Sequence, residues 1–215
     1  MTDTTIPPPA AAPAPAVRRP RIWTRRWFPY VLLVVLGLVL GFGLAVRSVR
    51  AGGLGSGERI GAWETGRDFG SKDQSARTRA VVALRGLLAL PASEARYYTA
   101  GVDDGGQPLT ANCSYRLTGG RLAAQFWTMT LYDRAGYLVP NAAGVFSVGS
   151  MTMPAAEQGR WTILVGPTPQ PGRWLPTDAT ADPFALTLRA YLPADGGNGN
   201  FTAAELPSIR KEGCK

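Results

Sequence analysis

Two strand-like segments of this sequence carry alternating threonine, tyrosine and arginine side chains of a kind that binds ligands. Successive side chains of a β-strand point to opposite faces, so residues i, i+2 and i+4 share one face. Segments 125–133 (QFWTMTLYD) and 184–192 (FALTLRAYL) both show this spacing. Hydroxyl and guanidinium groups suit an anionic or hydroxylated ligand. The candidate ligand-binding residues are Thr128, Thr130, Tyr132, Thr187, Arg189 and Tyr191.

The same pattern also fits a sheet face that is simply exposed to water, which is the simpler interpretation. In that case Arg189 pairs with Asp133, which begins the segment DRAG and is a common first residue of a turn. Both interpretations share one apolar core face. Its expected members are Trp127, Met129 and Leu131 in the first segment, and Ala185 or Leu186, Leu188, Ala190 and Leu192 in the second.

The sequence contains few of the residue types that enzymes commonly use for catalysis. Histidine is absent, which removes Ser-His and Cys-His nucleophiles and the commonest metal ligand, and the chain has two cysteines. The sequence therefore predicts no catalytic residue, no metal site and no cofactor. Acidic pairs at Asp103 and Asp104 and at Asp178 and Asp182 leave one alternative, a carboxylate-based hydrolase of envelope carbohydrate. That reaction needs two carboxyl groups facing each other across a cleft.

The net charge of +8 does not indicate nucleic-acid binding, because it is concentrated near the N-terminus. Residues 1–50 hold seven arginines and one acidic residue, whereas residues 51–215 hold sixteen basic and fourteen acidic residues. A nearly neutral domain lacks the basic face that phosphates require.

Residues 27–46 form an uncharged apolar stretch that predicts a single transmembrane helix. Five arginines precede it and two follow it, which predicts a cytoplasmic N-terminus and export of the rest. Gly37 and Gly41 allow a helix homodimer, although such glycines are common and a monomer is favoured. We expect a disordered Pro/Ala-rich tail at 1–26 and a Gly-rich linker at 47–59. Cleavage after the apolar stretch stays open as an alternative.

Residues 60–215 predict one exported, mainly β domain. Segment 75–91 has helical periodicity, and short strand segments follow it without helical crossovers, as in an antiparallel β-sandwich or jelly roll. Cys113 and Cys214 are expected to form a disulfide, because disulfides persist outside the cytoplasm. The alternative is one buried and one frayed thiol.

Six ordered segments, including ANCSYRLTG, FWTMTLYDRAGYLV and FALTLRAYLP, resemble the bacterial family called domain of unknown function 1214. The resemblance covers about residues 60–215 and is closest to short, membrane-anchored members. It implies an antiparallel, jelly-roll-like domain in the bacterial envelope and implies no activity. The chain departs from the family pattern at 157–161, where many members have an Asp-Gly-Ser-like turn, and at Arg173, where many have asparagine.

Together these features predict a protein of the bacterial inner membrane with a periplasmic β-sandwich that acts as a binding or structural module. Its expected partners are the membrane and either a small ligand or another envelope protein. A hydrolase and a subunit of a membrane assembly are the alternatives.

Overall fold

The computed structural model describes residues 26–51, 58–66, 70–84, 89–178 and 182–214. Internal contacts divide the chain into two compact units, residues 1–47 and residues 48–215. The predicted tail, apart from Arg26, and residues 52–57 of the predicted linker lie outside the described residues.

The first described element is helix α1 (Phe28–Ala51). Within it, the 22 residues Phe28–Val49 are long enough and apolar enough to cross a membrane. At 1.5 Å per residue they extend about 33 Å, close to the thickness of the hydrocarbon core. The helix continues past the predicted span 27–46, since nothing between Arg47 and Ala51 breaks a helix.

The second unit contains one further α-helix, α2 (Ala76–Leu84), among its described residues. The Ser75 hydroxyl accepts a hydrogen bond from the Thr78 N–H at 3.1 Å and so caps the first turn. The predicted helix over 75–91 is therefore present in its first half, and residues 85–88 lie outside the described part of the chain.

Ten described strands form two sheets. They are β1 (Glu58–Ile60), β2 (Trp63–Thr65), β3 (Ala95–Ala100), β4 (Cys113–Gly120), β5 (Ala124–Tyr132), β6 (Ser147–Gly149), β7 (Arg160–Gly166), β8 (Trp174–Pro176), β9 (Ala185–Pro193) and β10 (Ser208–Cys214). The six-stranded sheet has the order β1-β2-β3-β9-β5-β6, and the four-stranded sheet has the order β10-β4-β7-β8.

The pairing is antiparallel except between β7 and β8, which run parallel. The expected mainly antiparallel β fold is thus confirmed, with one parallel pair in the four-stranded sheet. The connecting loop 167–173 (PTPQPGR) is rich in proline and includes Gly172 at φ 88°. Because glycine adopts positive φ readily, this loop can fold back and bring Trp174 beside Leu164.

One hydrophobic core fills the space between the two sheets, so the domain is a β-sandwich. Trp127 of the six-stranded sheet packs on Trp161 of the four-stranded sheet, with ring centroids 4.4 Å apart. The predicted core faces of β5 and β9 are buried, except for Leu192, which is 45% exposed. Leu192 has φ 48°, so the strand alternation is broken there and the next residue, Pro193, is buried instead.

A disulfide joins Cys113 in β4 to Cys214 in β10. The two residues are directly opposite each other in the pairing of these strands. The last described residues of the chain are therefore fixed to the edge of the four-stranded sheet as a strand, which the sequence pattern did not predict.

Candidate ligand-binding cavity on the six-stranded sheet

The face of the six-stranded sheet that points away from the core carries side chains in rows across β3, β9 and β5. Antiparallel pairing places Thr99 opposite Thr187, and Thr187 opposite Thr130. The hydroxyl oxygens of Thr99 and Thr187 are 3.4 Å apart. Thr130 and Thr187 are only 6% and 5% exposed. The interpretation of this face as a simple water-exposed surface is therefore wrong at these threonines.

Arg189 occupies the next row, opposite Tyr97 of β3 and Thr128 of β5. Its Nη1 donates to the Thr130 hydroxyl at 3.2 Å, and its Nη2 donates to the Tyr132 hydroxyl at 2.6 Å. The guanidinium carbon also lies 5.2 Å from the centroid of the Tyr132 ring, which is a cation–π geometry. Two residues of the neighbouring strand β5, Thr130 and Tyr132, thus hold Arg189 in place.

The alternative pairing of Arg189 with Asp133 is not formed. Among the described residues, no carboxylate lies within ion-pair distance of Arg189. Asp133 instead begins the predicted turn, where its Oδ1 accepts the Tyr137 N–H at 2.8 Å. The hydrogen bonds of Arg189 to Thr130 and Tyr132 use two of its five N–H donors, so the guanidinium retains capacity to bind an acceptor.

These residues face a cavity of about 300 Å³. Tyr132, Thr187 and Arg189, three of the six predicted ligand-binding residues, line it. Thr130 contacts Arg189 from the adjacent position. Much of the remaining described lining is small or apolar: Ala89, Gly101, Pro108, Pro183, Phe184 and Ala185.

Two predicted site residues lie elsewhere on the same face. The ring of Tyr191 stacks on that of Phe126, with centroids 4.5 Å apart, one row beyond Arg189. Thr128 is opposite Gly149 of β6 and is not part of the described lining. Strand alternation assigned both residues to the correct face but gave no information about where on that face the cavity lies.

The wall residue Phe184 is fixed by the core. It is 2% exposed, its ring meets the Tyr115 ring edge-on at 5.9 Å, and its N–H donates to the Leu109 carbonyl at 3.2 Å. Since Tyr115 belongs to the opposite sheet, this wall is held by the packing of the whole sandwich. Phe184 is therefore a fixed part of the lining.

Tyr97, in strand β3, forms another side of the cavity. Burial raises the pKa of the Tyr97 hydroxyl, while the N–H of Leu90 and the charge of Arg189 act in the opposite direction. The Leu90 N–H donates to this hydroxyl at 3.1 Å, which ties the segment after α2 to the sheet. Tyr97 and Thr99 were missed as site residues because their position depends on the register of β3 against β9.

Three carboxyl groups of the candidate acidic pairs, those of Asp103, Asp104 and Asp182, accept backbone hydrogen bonds. Asp103 Oδ1 accepts the N–H groups of Gly105 and Gln107, both at 2.9 Å. Asp104 Oδ2 accepts the Ile209 N–H at 2.9 Å, and burial raises the pKa of this carboxyl. Asp182 Oδ1 accepts the Ala111 N–H at 3.3 Å. These carboxyl groups organise turns and tie them to neighbouring segments.

The loop containing DGGNGN, residues 195–200, is built around Asp195. Its carboxylate accepts two bonds from Arg96 Nη2, at 2.9 and 2.8 Å, and the N–H groups of Gly197 and Gly199 at 3.1 and 2.9 Å. Within the described ranges, no three His, Cys, Asp or Glu residues are grouped as metal ligands would be.

The sequence of the domain that holds the cavity matches a known family. Residues 94–195 match the profile of a family described as "Protein of unknown function (DUF1214)". These residues form a DUF1214 domain. It includes Arg189, Tyr132 and the three threonines of the cavity row, whereas β1, β2, α2 and β10 lie outside the matched range.

The DUF1214 domain also has structural relatives. The crystal structure of the VPA0106 protein from Vibrio parahaemolyticus is 22% identical, with a TM-score of 0.54, and covers 85% of this chain and 45% of that one. A putative uncharacterized protein from Burkholderia cenocepacia is 19% identical, with a TM-score of 0.39, over 57% of this chain and 30% of that one. The chain thus spans less than half of either protein. No curated protein matches it.

The two places where this chain is expected to depart from the DUF1214 pattern contact each other. Arg173 Nη2 lies 2.6 Å from Glu157 Oε2. Glu157, the first residue of segment 157–161, and Arg173, the residue before Trp174, therefore form an ion pair in this protein. Neither residue is part of the described lining of the cavity.

Proposed function

We propose that this protein is a membrane-anchored binding module of the bacterial cell envelope, whose DUF1214 domain binds a small ligand in the cavity beside Arg189. The observation that carries the proposal is the cavity itself. Its volume of about 300 Å³ is at the lower end of the range for small-molecule sites, and such sites combine apolar walls with a few fixed polar groups.

The location is part of the same proposal. Helix α1 supplies one apolar segment of membrane-spanning length. The excess of arginine before that segment favours a cytoplasmic N-terminus and a periplasmic DUF1214 domain in the inner membrane. The Cys113–Cys214 disulfide supports this orientation, because disulfides persist in the periplasm and are rare in the cytosol.

Native mass spectrometry of the full chain, purified from membranes in a mild detergent, tests the binding function. The variant Ala185→Phe places a ring in the cavity, because Ala185 lines it. The control Ala156→Phe adds the same ring at an exposed position outside the cavity. We expect a copurifying small mass in the wild type and in the control, and its loss in Ala185→Phe. A mass retained in Ala185→Phe, or an apo mass in all three proteins, contradicts the proposal.

A further inference from the structure

The cavity beside Arg189 has a charge pattern that restricts its ligand. Its described lining contains two guanidinium groups, Arg134 and Arg189, and two carboxyl groups, Glu64 and Asp133. Glu64 is also in an ion pair with Arg59 of the neighbouring strand. A site with balanced charge does not favour a ligand that carries several negative charges.

Arg189 differs from the other charged groups of the lining. It stands in the middle of the sheet, on β9, with β3 and β5 on either side. Its bonds to Thr130 and Tyr132 fix the plane of the guanidinium, and neither partner neutralises its charge. A planar, fixed guanidinium with remaining N–H donors matches a carboxylate, which can accept two parallel hydrogen bonds.

The rest of the cavity favours an apolar body attached to that carboxylate. Ala89, Pro108, Pro183, Phe184 and Ala185 offer no side-chain hydrogen bond. A sugar would leave many of its hydroxyl groups unsatisfied against these walls, at a cost for each buried polar group. An aromatic or aliphatic body would instead bury apolar surface there.

We propose that the ligand is a small monocarboxylate with an apolar, aromatic or aliphatic body, whose carboxylate binds Arg189. This inference rests on the proposed function and specifies the class of its ligand. The Tyr132 hydroxyl accepts a hydrogen bond from the guanidinium and keeps its own proton to donate to the same carboxylate, and Thr187 lines the same cavity. The apolar body then extends along Ala89, Pro183 and Ala185 of the lining.

Three probes with the same naphthalene ring and different polar groups separate the ligand classes. They are 2-naphthoate, neutral 2-naphthamide and 2-naphthyl phosphate. Their dissociation constants are measured by isothermal titration calorimetry on the full chain in phosphatidylcholine nanodiscs, with empty nanodiscs subtracted. We expect 2-naphthoate to bind about tenfold or more tightly than the other two, because only it pairs with Arg189 without excess charge.

Variants then assign the preference to Arg189. Arg189→Gln is expected to weaken 2-naphthoate by about tenfold or more and to leave 2-naphthamide unchanged. Arg160→Gln removes an exposed arginine from the other sheet and is expected to change neither. Tyr132→Phe keeps the ring but removes the hydroxyl bonded to Arg189, so it should weaken 2-naphthoate by a smaller factor. Thermal unfolding confirms that each variant is folded.

The outcomes separate the two proposals. Equal binding of 2-naphthoate and 2-naphthamide, with both lost in Ala185→Phe, overturns the carboxylate inference and leaves the binding function standing. Tighter binding of 2-naphthyl phosphate overturns the inference in favour of another anion. If none of the probes binds, the carboxylate inference fails. The binding function is then decided separately, by whether a small mass copurifies with the wild type in the native mass spectra.

Discussion

The indole ring of Trp161 on β7 lies directly over Gly119 on β4. The two residues are opposite each other in the sheet, and a Cβ added at Gly119 would lie 2.2 Å from the ring. The Trp161 indole N–H donates to the Gly120 carbonyl at 2.8 Å, which fixes the ring in this position. Because Trp161 also packs on Trp127, this contact sets how closely the two sheets approach.

Gly119→Ala is therefore expected to destabilise the domain. A methyl group at this position displaces a buried indole, and such overpacking costs about 1–3 kcal/mol in the free energy of unfolding. Urea unfolding followed by near-ultraviolet circular dichroism measures the change. The neighbouring Gly120→Ala is the control, because its added Cβ meets its nearest atom at an ordinary 3.4 Å. Equal effects of the two substitutions would contradict this account.

Loss of the disulfide is expected to destabilise the domain strongly. The Cys113–Cys214 bridge spans a sequence separation of 101 residues. The chain-entropy estimate for such a loop is about 4–5 kcal/mol, a large part of the stability of an ordinary domain. Cys214→Ser and the reduced wild type should therefore unfold at similarly lowered urea concentrations. A reduced protein as stable as the oxidised one would show that β10 is held by its strand pairing alone.

The ion pair between Arg96 and Asp195 predicts a pH-dependent contribution to stability. Arg96 is 5% exposed, and its hydrogen bonds hold the pKa of the Asp195 carboxyl below its usual value. Such a carboxyl contributes stability above its unfolded-state pKa of about 3.9, and the contribution is lost as the pH falls through the lowered folded-state pKa.

Asp195→Asn should thus lower the unfolding temperature at pH 7 and have little effect at the lowest pH at which the protein stays folded. Glu212→Gln removes the partner of the exposed Arg116 and is the control, because surface ion pairs contribute about 0–1 kcal/mol. An unfolding temperature unchanged by Asp195→Asn at neutral pH would show that Arg96 is held by Phe201 and its other neighbours instead.

The sequence predicted the parts of this fold that depend on local pattern. Alternation in β5 and β9 correctly assigned Trp127, Met129 and Leu188 to the core and Arg189 to the opposite face. It failed at Leu192, because a left-handed backbone conformation interrupts the alternation there. Strands β1, β2 and β8 are three residues long, too short for a periodic signal. Strand β10 has three consecutive charged residues, Arg210, Lys211 and Glu212, and so shows no apolar alternation.

The candidate site was predictable only in part, for a related reason. The two segments that carry Tyr132 and Arg189 were identified, but their contact depends on the register between β5 and β9. The wall at Ala89 comes from a segment that carries no site-like pattern of its own, and the alternation in 184–192 did not single out Phe184. Tertiary packing brings these residues together, and a single sequence contains no direct record of it.

The central claim is that the cavity beside Arg189 is the ligand site of this protein. Methyl NMR of the full chain in nanodiscs, labelled at alanine and threonine methyl groups, tests it most directly with 2-naphthoate or 2-naphthamide. We predict saturable shift changes at Ala89, Ala185 and Thr187, and none at the exposed Ala156. Shift changes confined to residues outside the cavity, or absent with both probes, would contradict the claim.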